Sequence, residues 1–129
     1  MPTDARRARG ALGENAAARH LTARGYQVLE RNFRTRRGEL DLVAADAGCI
    51  VFCEVKTRVA GGTAGPACGI DAIGPAKRRR LRALAAEWLR ARPAGSARPR
   101  RARLRFDAIG VTLAPNGAVL ALEHVPDAF

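Results

Sequence analysis

The feature that most constrains the fold is an apolar run that ends abruptly in charged residues. Ile50-Val51-Phe52-Cys53 is continuously apolar, as expected of a β-strand that is buried on both faces. The run leads directly into Glu54-Val55-Lys56-Thr57-Arg58. Because side chains alternate along a strand, Glu54 and Lys56 share one face and Val55 faces the other way. Such charges are costly to desolvate unless they are compensated, by a plain ion pair or by a divalent metal with a phosphate.

A second short strand is predicted immediately before this one. Leu40 to Val43 is rich in β-favouring apolar residues, and Ala45-Asp46-Ala47-Gly48 is a turn signal. A hairpin of the two strands would bring Asp41 beside Glu54. The sequence therefore predicts two carboxylates and a lysine at the end of a buried strand. Asp107, on a later strand, is predicted instead to form a structural salt bridge with a nearby arginine.

The remaining elements place this hairpin in an α/β fold. Residues 5–24 are predicted to form a first helix, and a second helix begins at Pro75 and ends before Pro93, with Trp88 as a core anchor in its apolar stripe. Val59 to Gly74 is a glycine-rich loop that lacks the Gly-Lys-Ser/Thr ending of a P-loop. The order α-β-β-β-α-β-β predicts a sandwich around a mixed central sheet, in one domain that covers residues 1–129. The other strands are predicted at 27–33, 104–113 and 118–125.

The charge of the chain predicts a polyanionic partner, of which nucleic acid is the usual one. The formal net charge is +11, and between Lys77 and Arg105 there are twelve basic residues but one acid, Glu87. Arg98 to Arg103 is predicted to be part of a basic loop. Of the 23 basic residues, 21 are Arg and two are Lys. Arg does not deprotonate in proteins whereas the pKa of Lys shifts readily on burial, so Lys56 at the end of the apolar strand favours a chemical role for this residue.

Several sequence features predict a cytoplasmic protein without a membrane partner. No apolar run approaches the ~20 residues of a membrane span. The N-terminus lacks the apolar segment of a signal peptide. The three cysteines, Cys49, Cys53 and Cys68, form no Cys-x-x-Cys pair, so buried, reduced thiols are expected rather than a zinc site.

Longer motifs carry a resemblance to a known family. Asp41, twelve intervening residues and then Glu54-Val55-Lys56 resemble the signature of the PD-(D/E)XK nuclease superfamily, whose restriction-endonuclease-like fold has an α-β-β-β-α-β core. Nearly the whole chain resembles the bacterial YraN family, also called UPF0102, which is similar in outline to archaeal Holliday junction resolvases. The match is weakest between Gly61 and Gly74. The family usually has an acidic residue before Ala-Val there, and the best match in this chain is Asp71-Ala72-Ile73. The matching motifs are Gly13-Glu14, Gly25-Tyr26, Arg31-Asn32-Phe33-Arg34, Gly38 to Ala44, Val51 to Arg58, Arg105-Phe106-Asp107 and Ala128-Phe129.

What the resemblance implies is metal-dependent cleavage of phosphodiester bonds in DNA, branched or junction DNA included. Asp41 and Glu54, with the carbonyl of Val55, would hold Mg²⁺ or Mn²⁺. Lys56 would orient the attacking water or stabilise negative charge. Glu14 would complete the site from the first helix, directly or through water. Glu39 shares a strand face with Asp41, and it either joins the site or faces solvent. The residues expected to contact phosphates are Arg58, Lys77, Arg78, Arg79 and Arg80.

The residues leave two other functions open. One is a nuclease-like module that binds nucleic acid without cleaving it, and the other is a structural protein in which Glu54 and Lys56 merely pair. Clustered acids argue for the enzyme because they repel phosphate and a binding module has no need of them. The charge asymmetry counts against a structural protein. The choice between DNA and RNA, and between duplex, junction and flap, stays open, and symmetric junction cutting would favour a homodimer.

Overall fold

In the part of the chain that the structure describes, the fold consists of a five-stranded mixed β-sheet and two α-helices. The computed structural model describes residues 2–61, 74–92 and 103–129. Within these residues the predicted order α-β-β-β-α-β-β is confirmed. The predicted glycine-rich loop lies outside the described residues from 62 to 73, as do Cys68, Asp71-Ala72-Ile73 and most of the predicted basic loop. The elements are α1 (Pro2–Ala23), β1 (Gln27–Thr35), β2 (Gly38–Ala45), β3 (Cys49–Val59), α2 (Pro75–Ala91), β4 (Arg103–Leu113) and β5 (Val119–Val125).

The strands lie side by side in chain order, and the sheet is open. β1 with β2, β2 with β3, and β4 with β5 are antiparallel, whereas β3 and β4 are parallel. A parallel neighbour requires a crossover connection, and α2 lies between β3 and β4 in the chain. β3 and β4 pair from Cys49 opposite Arg103 to Val59 opposite Leu113. The prediction of a mixed α/β fold is therefore confirmed.

The two helices cover opposite faces of the sheet, so β3 is buried on both sides. Ile50 to Cys53 are all buried, as the apolar run predicts. On one face α2 packs against β3, and Trp88 makes an edge-to-face contact with Phe52 at 5.7 Å between ring centroids. On the other face α1 packs against β3 through the fully buried Leu21. The prediction that Trp88 is a core anchor is confirmed.

Cys49 and Cys53 are free thiols and both are buried, as predicted. Neither helix in the described part of the chain has the length and apolar character that crossing a membrane requires.

Asp107 on β4 is a fully buried charge that holds several elements together. Its carboxylate accepts two hydrogen bonds of 2.8 Å from Arg105, one of 3.0 Å from the Asp127 N–H, and pairs with His124 Nε2 at 2.7 Å. His124 also contacts His20 of α1, at 3.0 Å between ring nitrogens. Burial by itself would raise the pKa of Asp107, but these hydrogen bonds outweigh it and hold the pKa below its usual value. The predicted structural salt bridge is confirmed.

Candidate active site

The centre of the sheet contains a break between β2 and β3. Their pairing stops at Leu42 opposite Cys53, although β2 continues to pair with β1 and β3 continues to pair with β4. The side chain of Asp41 lies at this break, where its Oδ2 accepts a hydrogen bond of 2.8 Å from the N–H of Val55. A carboxylate thus satisfies a backbone donor at the point where the two strands separate.

Three carboxylates from two elements meet at this break. One oxygen each of Glu14 on α1 and of Glu39 and Asp41 on β2 lie within 4.8 Å of one another. Burial, and then the charges of Glu14, Glu39 and Glu54, raise the pKa of Asp41 to about 7, against the Val55 hydrogen bond. Burial likewise raises the pKa of Glu14. Acids crowded in this way need a proton or a cation to compensate their charge near neutral pH.

Asn32 on β1 supports this acidic cluster of Glu14, Glu39 and Asp41. Its backbone has a φ of 55°, which is uncommon for a residue with a side chain but is tolerated by Asn better than by most. Its side chain hydrogen-bonds Glu14, which opposes the rise in the pKa of that acid. Sequence reasoning gave Asn32 no role, and its tolerance of positive φ inside a strand is the signal that was available.

Glu54 lies outside the acidic cluster and is paired with both lysines of the chain. Its Oε1 is 2.5 Å from Lys77 Nζ on α2 and 3.7 Å from Lys56 Nζ. Burial, followed by contact with Lys77, lowers the pKa of Lys56, and the charge of Glu54 opposes this. The other oxygen of Glu54 is buried and has no hydrogen-bond partner among the described residues. An ion pair, one of the two alternatives from the sequence, is therefore present, and α2 supplies an additional lysine.

The remaining predicted residues lie on β3 and α2. Arg58, at the C-terminal end of β3, donates a hydrogen bond of 3.2 Å from its Nε to Thr112 Oγ1 on β4. Arg80 lies over Gly38, at the start of β2, with its Cδ 3.5 Å from the position of an added Cβ. Arg78, Arg79 and Arg80 are all exposed on the first turns of α2.

The approach of α1 to β3 depends on Gly13. A Cβ at this position would lie 1.8 Å from Thr57 Oγ1 and 2.9 Å from Thr57 Cβ. Real Cβ atoms do not come this close to other heavy atoms, so any side chain here would force α1 and β3 apart. Because Glu14 is the next residue, this close approach also brings Glu14 to the break in the sheet.

We expect Gly13→Ala to lower the free energy of unfolding, by about 1–3 kcal/mol, since it overpacks the contact with Thr57. Gly10→Ala is the matched control, because an added Cβ at Gly10 meets nothing within 4 Å. This control should stabilise the helix by about 0.5–1 kcal/mol, the usual gain from Gly to Ala. Urea unfolding monitored by circular dichroism measures both. Equal effects of the two variants would show that the close approach is unimportant.

The fold and these side chains define an open α/β protein with an acidic cluster and a lysine-paired glutamate at a break in its sheet. The sequence model of the family described as "Uncharacterised protein family UPF0102" matches residues 13–111, and the chain belongs to this family. The resemblance to UPF0102 that the motifs indicate is thus confirmed.

Relatives in this family are similar over most of their length. The chain is 45% identical to a UPF0102 protein of Rhodococcus opacus over 120 residues, which cover 93% of this chain and 94% of the relative. It is 46% identical to one of Kineococcus radiotolerans over 118 residues, or 90% and 88% of the two chains. A Frankia alni relative is 43% identical over the full length of both.

Proposed function

We propose that this protein is an endonuclease that hydrolyses phosphodiester bonds in DNA, branched or junction DNA included, with Mg²⁺ or Mn²⁺. The observation that carries the proposal is the break between β2 and β3. There Asp41 lies beside Glu14 and Glu39, and the following strand supplies Glu54 and Lys56. We also propose that the fold is the restriction-endonuclease-like sandwich of the PD-(D/E)XK superfamily, which the element order and the helix on each sheet face support.

The side chains at the break fit a hard divalent cation. Such ions prefer oxygen ligands, and Glu14, Glu39 and Asp41 offer carboxylate oxygens within 4.8 Å of one another. Glu54 adds a buried oxygen that has no hydrogen-bond partner among the described residues. Asp41, Glu54 and the Val55 carbonyl are the ligands expected from the sequence, with Glu14 expected to complete the site, and the position of Glu39 makes it a further candidate. A bound ion would lower the pKa of a coordinated water and neutralise charge on phosphate.

The other residues of the site have roles that follow from their charges. Lys56 is partly exposed, with 47% of its side chain accessible, so its ammonium group can reach a phosphate or a water at the break. Glu54 holds Lys56 and Lys77 on the same side of β3, which concentrates positive charge where the phosphate gains negative charge in the transition state. Asn32 favours the charged form of Glu14, because its hydrogen bond lowers the pKa that burial raises.

The basic surface of α2 is suited to the flanking backbone of the substrate. Arg78, Arg79 and Arg80 are exposed on the first turns of the helix, beside Lys77, which contacts Glu54. Arginine forms bidentate hydrogen bonds with phosphate, and its contacts to the backbone carry no sequence preference. Symmetric cutting of a junction would favour a homodimer.

The direct test is a panel of end-labelled DNA substrates: single strand, duplex, flap and four-way junction. We expect cleavage with Mg²⁺ or Mn²⁺ and none with EDTA, measured as labelled products on a denaturing gel. A parallel RNA panel decides between the nucleic acids. Binding to these substrates without divalent-dependent cleavage would contradict the endonuclease and favour the non-catalytic binding module.

A further inference from the structure

A groove runs outward from the candidate active site, between the N-terminal half of α1 and the C-terminal half of β3. Its volume is about 550 Å³, within the range of small-molecule binding clefts. Glu14 and Lys56 line its inner end, so it is continuous with the break between β2 and β3. Any linear substrate that reaches the break can therefore extend along this groove. Its lining also includes Arg6, Arg9, Gly10 and Arg58.

The charge of this groove is mainly positive and comes from two elements. Arg6 and Arg9 are three residues apart on α1, so they lie on the same face of the helix. Arg58 of β3 also lines the groove, and its Nε donates a hydrogen bond to Thr112 on β4. Among the described residues, Arg6 and Arg9 form no hydrogen bond or ion pair with another side chain. Two guanidinium groups without such a partner, on one wall of a groove, are a suitable environment for an anion with several charges.

Gly10 keeps the groove open. It lies inside α1, where glycine costs about 1 kcal/mol of helix stability relative to alanine. An added Cβ at this position meets nothing within 4 Å, so the packing of the protein does not require glycine here. Gly13, one turn later, differs in this respect, because the close contact with Thr57 leaves no room for a side chain. A glycine lacks a side chain, so Gly10 leaves space on the wall of this basic groove. The backbone of a ligand can approach the helix closely at that point.

We propose that this groove binds the phosphates of one backbone strand of the nucleic-acid substrate, on one side of the phosphate that is cleaved. This inference rests on the proposed function and assigns Arg6 and Arg9, with Arg58, as phosphate-binding residues. The strand occupies the space between α1 and β3, and Gly10 allows it to approach the helix closely. Repeated phosphates at short intervals fit this row of arginines better than an isolated acidic side chain does.

The test measures binding in EDTA, so it does not depend on cleavage. The probe is a fluorescein-labelled 20-base-pair duplex DNA, and its affinity is measured by fluorescence anisotropy at increasing salt concentrations. Each phosphate contact contributes about 0.9 to the slope of log affinity against log salt on B-DNA. Arg6→Ala with Arg9→Ala should therefore reduce the slope by about 1.8. Arg6→Lys with Arg9→Lys, which keeps both charges, should restore most of it.

The matched control removes the same number of charges at another site. Arg24 and Arg103 line a separate groove, beside the turn that joins β2 to β3. Arg24→Ala with Arg103→Ala should leave the slope unchanged. Equal losses in the two double variants would overturn the proposal, because they would show an effect of net charge alone. An unchanged slope in the variant that lacks both Arg6 and Arg9 would also overturn the proposal. Absence of measurable DNA binding by the wild-type protein would overturn it as well.

A second variant fills the groove without changing charge. Leu is a strong helix former, so Gly10→Leu should raise the melting temperature while it weakens DNA binding at every salt concentration. A more stable protein that binds DNA as the wild type does would also overturn the proposal. A wild-type protein that shows these binding effects but never cleaves DNA would contradict the endonuclease and leave the groove assignment standing.

Discussion

Asp41→Asn and Glu54→Gln should each abolish divalent-dependent cleavage while the protein remains folded. Both changes keep the shape of the side chain and remove the negative charge that a cation needs. Binding of DNA in EDTA should be retained or become tighter, because an anion that repels phosphate is gone. Lys56→Ala should also lose cleavage but should keep metal binding, since Lys is not a ligand of hard cations. Cleavage rates of purified variants on the same labelled substrate measure these effects.

The matched control is Asp46→Asn, a change of the same chemistry at the turn between β2 and β3. Asp46 accepts hydrogen bonds from the N–H groups of Gly48 and Cys49, and it is not part of the acidic cluster. This variant should cleave at the wild-type rate. Wild-type rates in Asp41→Asn and Glu54→Gln would show that the proposed active site is wrong.

Thermal stability separates metal binding from cleavage at the same site. Because burial and neighbouring acids raise the pKa of Asp41 to about 7, its charged form is unfavourable in the folded protein. A raised carboxyl pKa means that stability falls as pH rises from about 3.9, the unfolded value, through 7. At pH 8 in EDTA, Asp41→Asn should therefore melt at a higher temperature than the wild type. Mg²⁺ should raise the melting temperature of the wild type more than that of the variant.

The central part of the fold follows from local sequence patterns. Ile50 to Cys53 could be predicted as a doubly buried strand because four consecutive apolar residues satisfy both faces of a sheet. Gly25 could be predicted as the residue after the first helix, and it has a φ of 92°, with its N–H bonded to the Thr22 carbonyl and that of Tyr26 to Leu21. Each of these features depends on neighbours in the chain, which is why periodicity and turn residues reveal them.

The groups that complete the candidate site depend on distant contacts instead. Lys77 was expected to contact phosphate, and nothing in the sequence shows that the crossover helix brings it to Glu54, 23 positions earlier. The same applies to His20, which has no second histidine near it in the chain but contacts His124 across the fold. Gly13 stands in a motif, but its purpose becomes clear only when β3 places Thr57 against it. Packing between elements determines these contacts, and local patterns do not encode it.

Asp107→Asn should lower the free energy of unfolding by about 3–5 kcal/mol, the usual cost of removing one partner from a buried ion pair. The Asp107 carboxylate has no exposed surface and Arg105 has 17% of its side chain exposed, so the guanidinium would keep its charge without compensation. An amide also directs N–H donors toward Arg105 or His124, which leaves buried donors facing one another. Chemical denaturation at pH 7 measures the change.

The pH dependence of this loss identifies the charge as its cause. The pKa of Asp107 is lowered in the folded protein, so its contribution is present above the unfolded value of about 3.9 and is lost as pH falls through the lower folded value. The difference between wild type and Asp107→Asn should therefore be present at pH 5 and shrink below pH 4. The control is Glu87→Gln, which breaks the more exposed pair with Arg37 and should cost much less. A difference that persists unchanged at pH 3 would attribute the loss to packing and contradict the role of the charge.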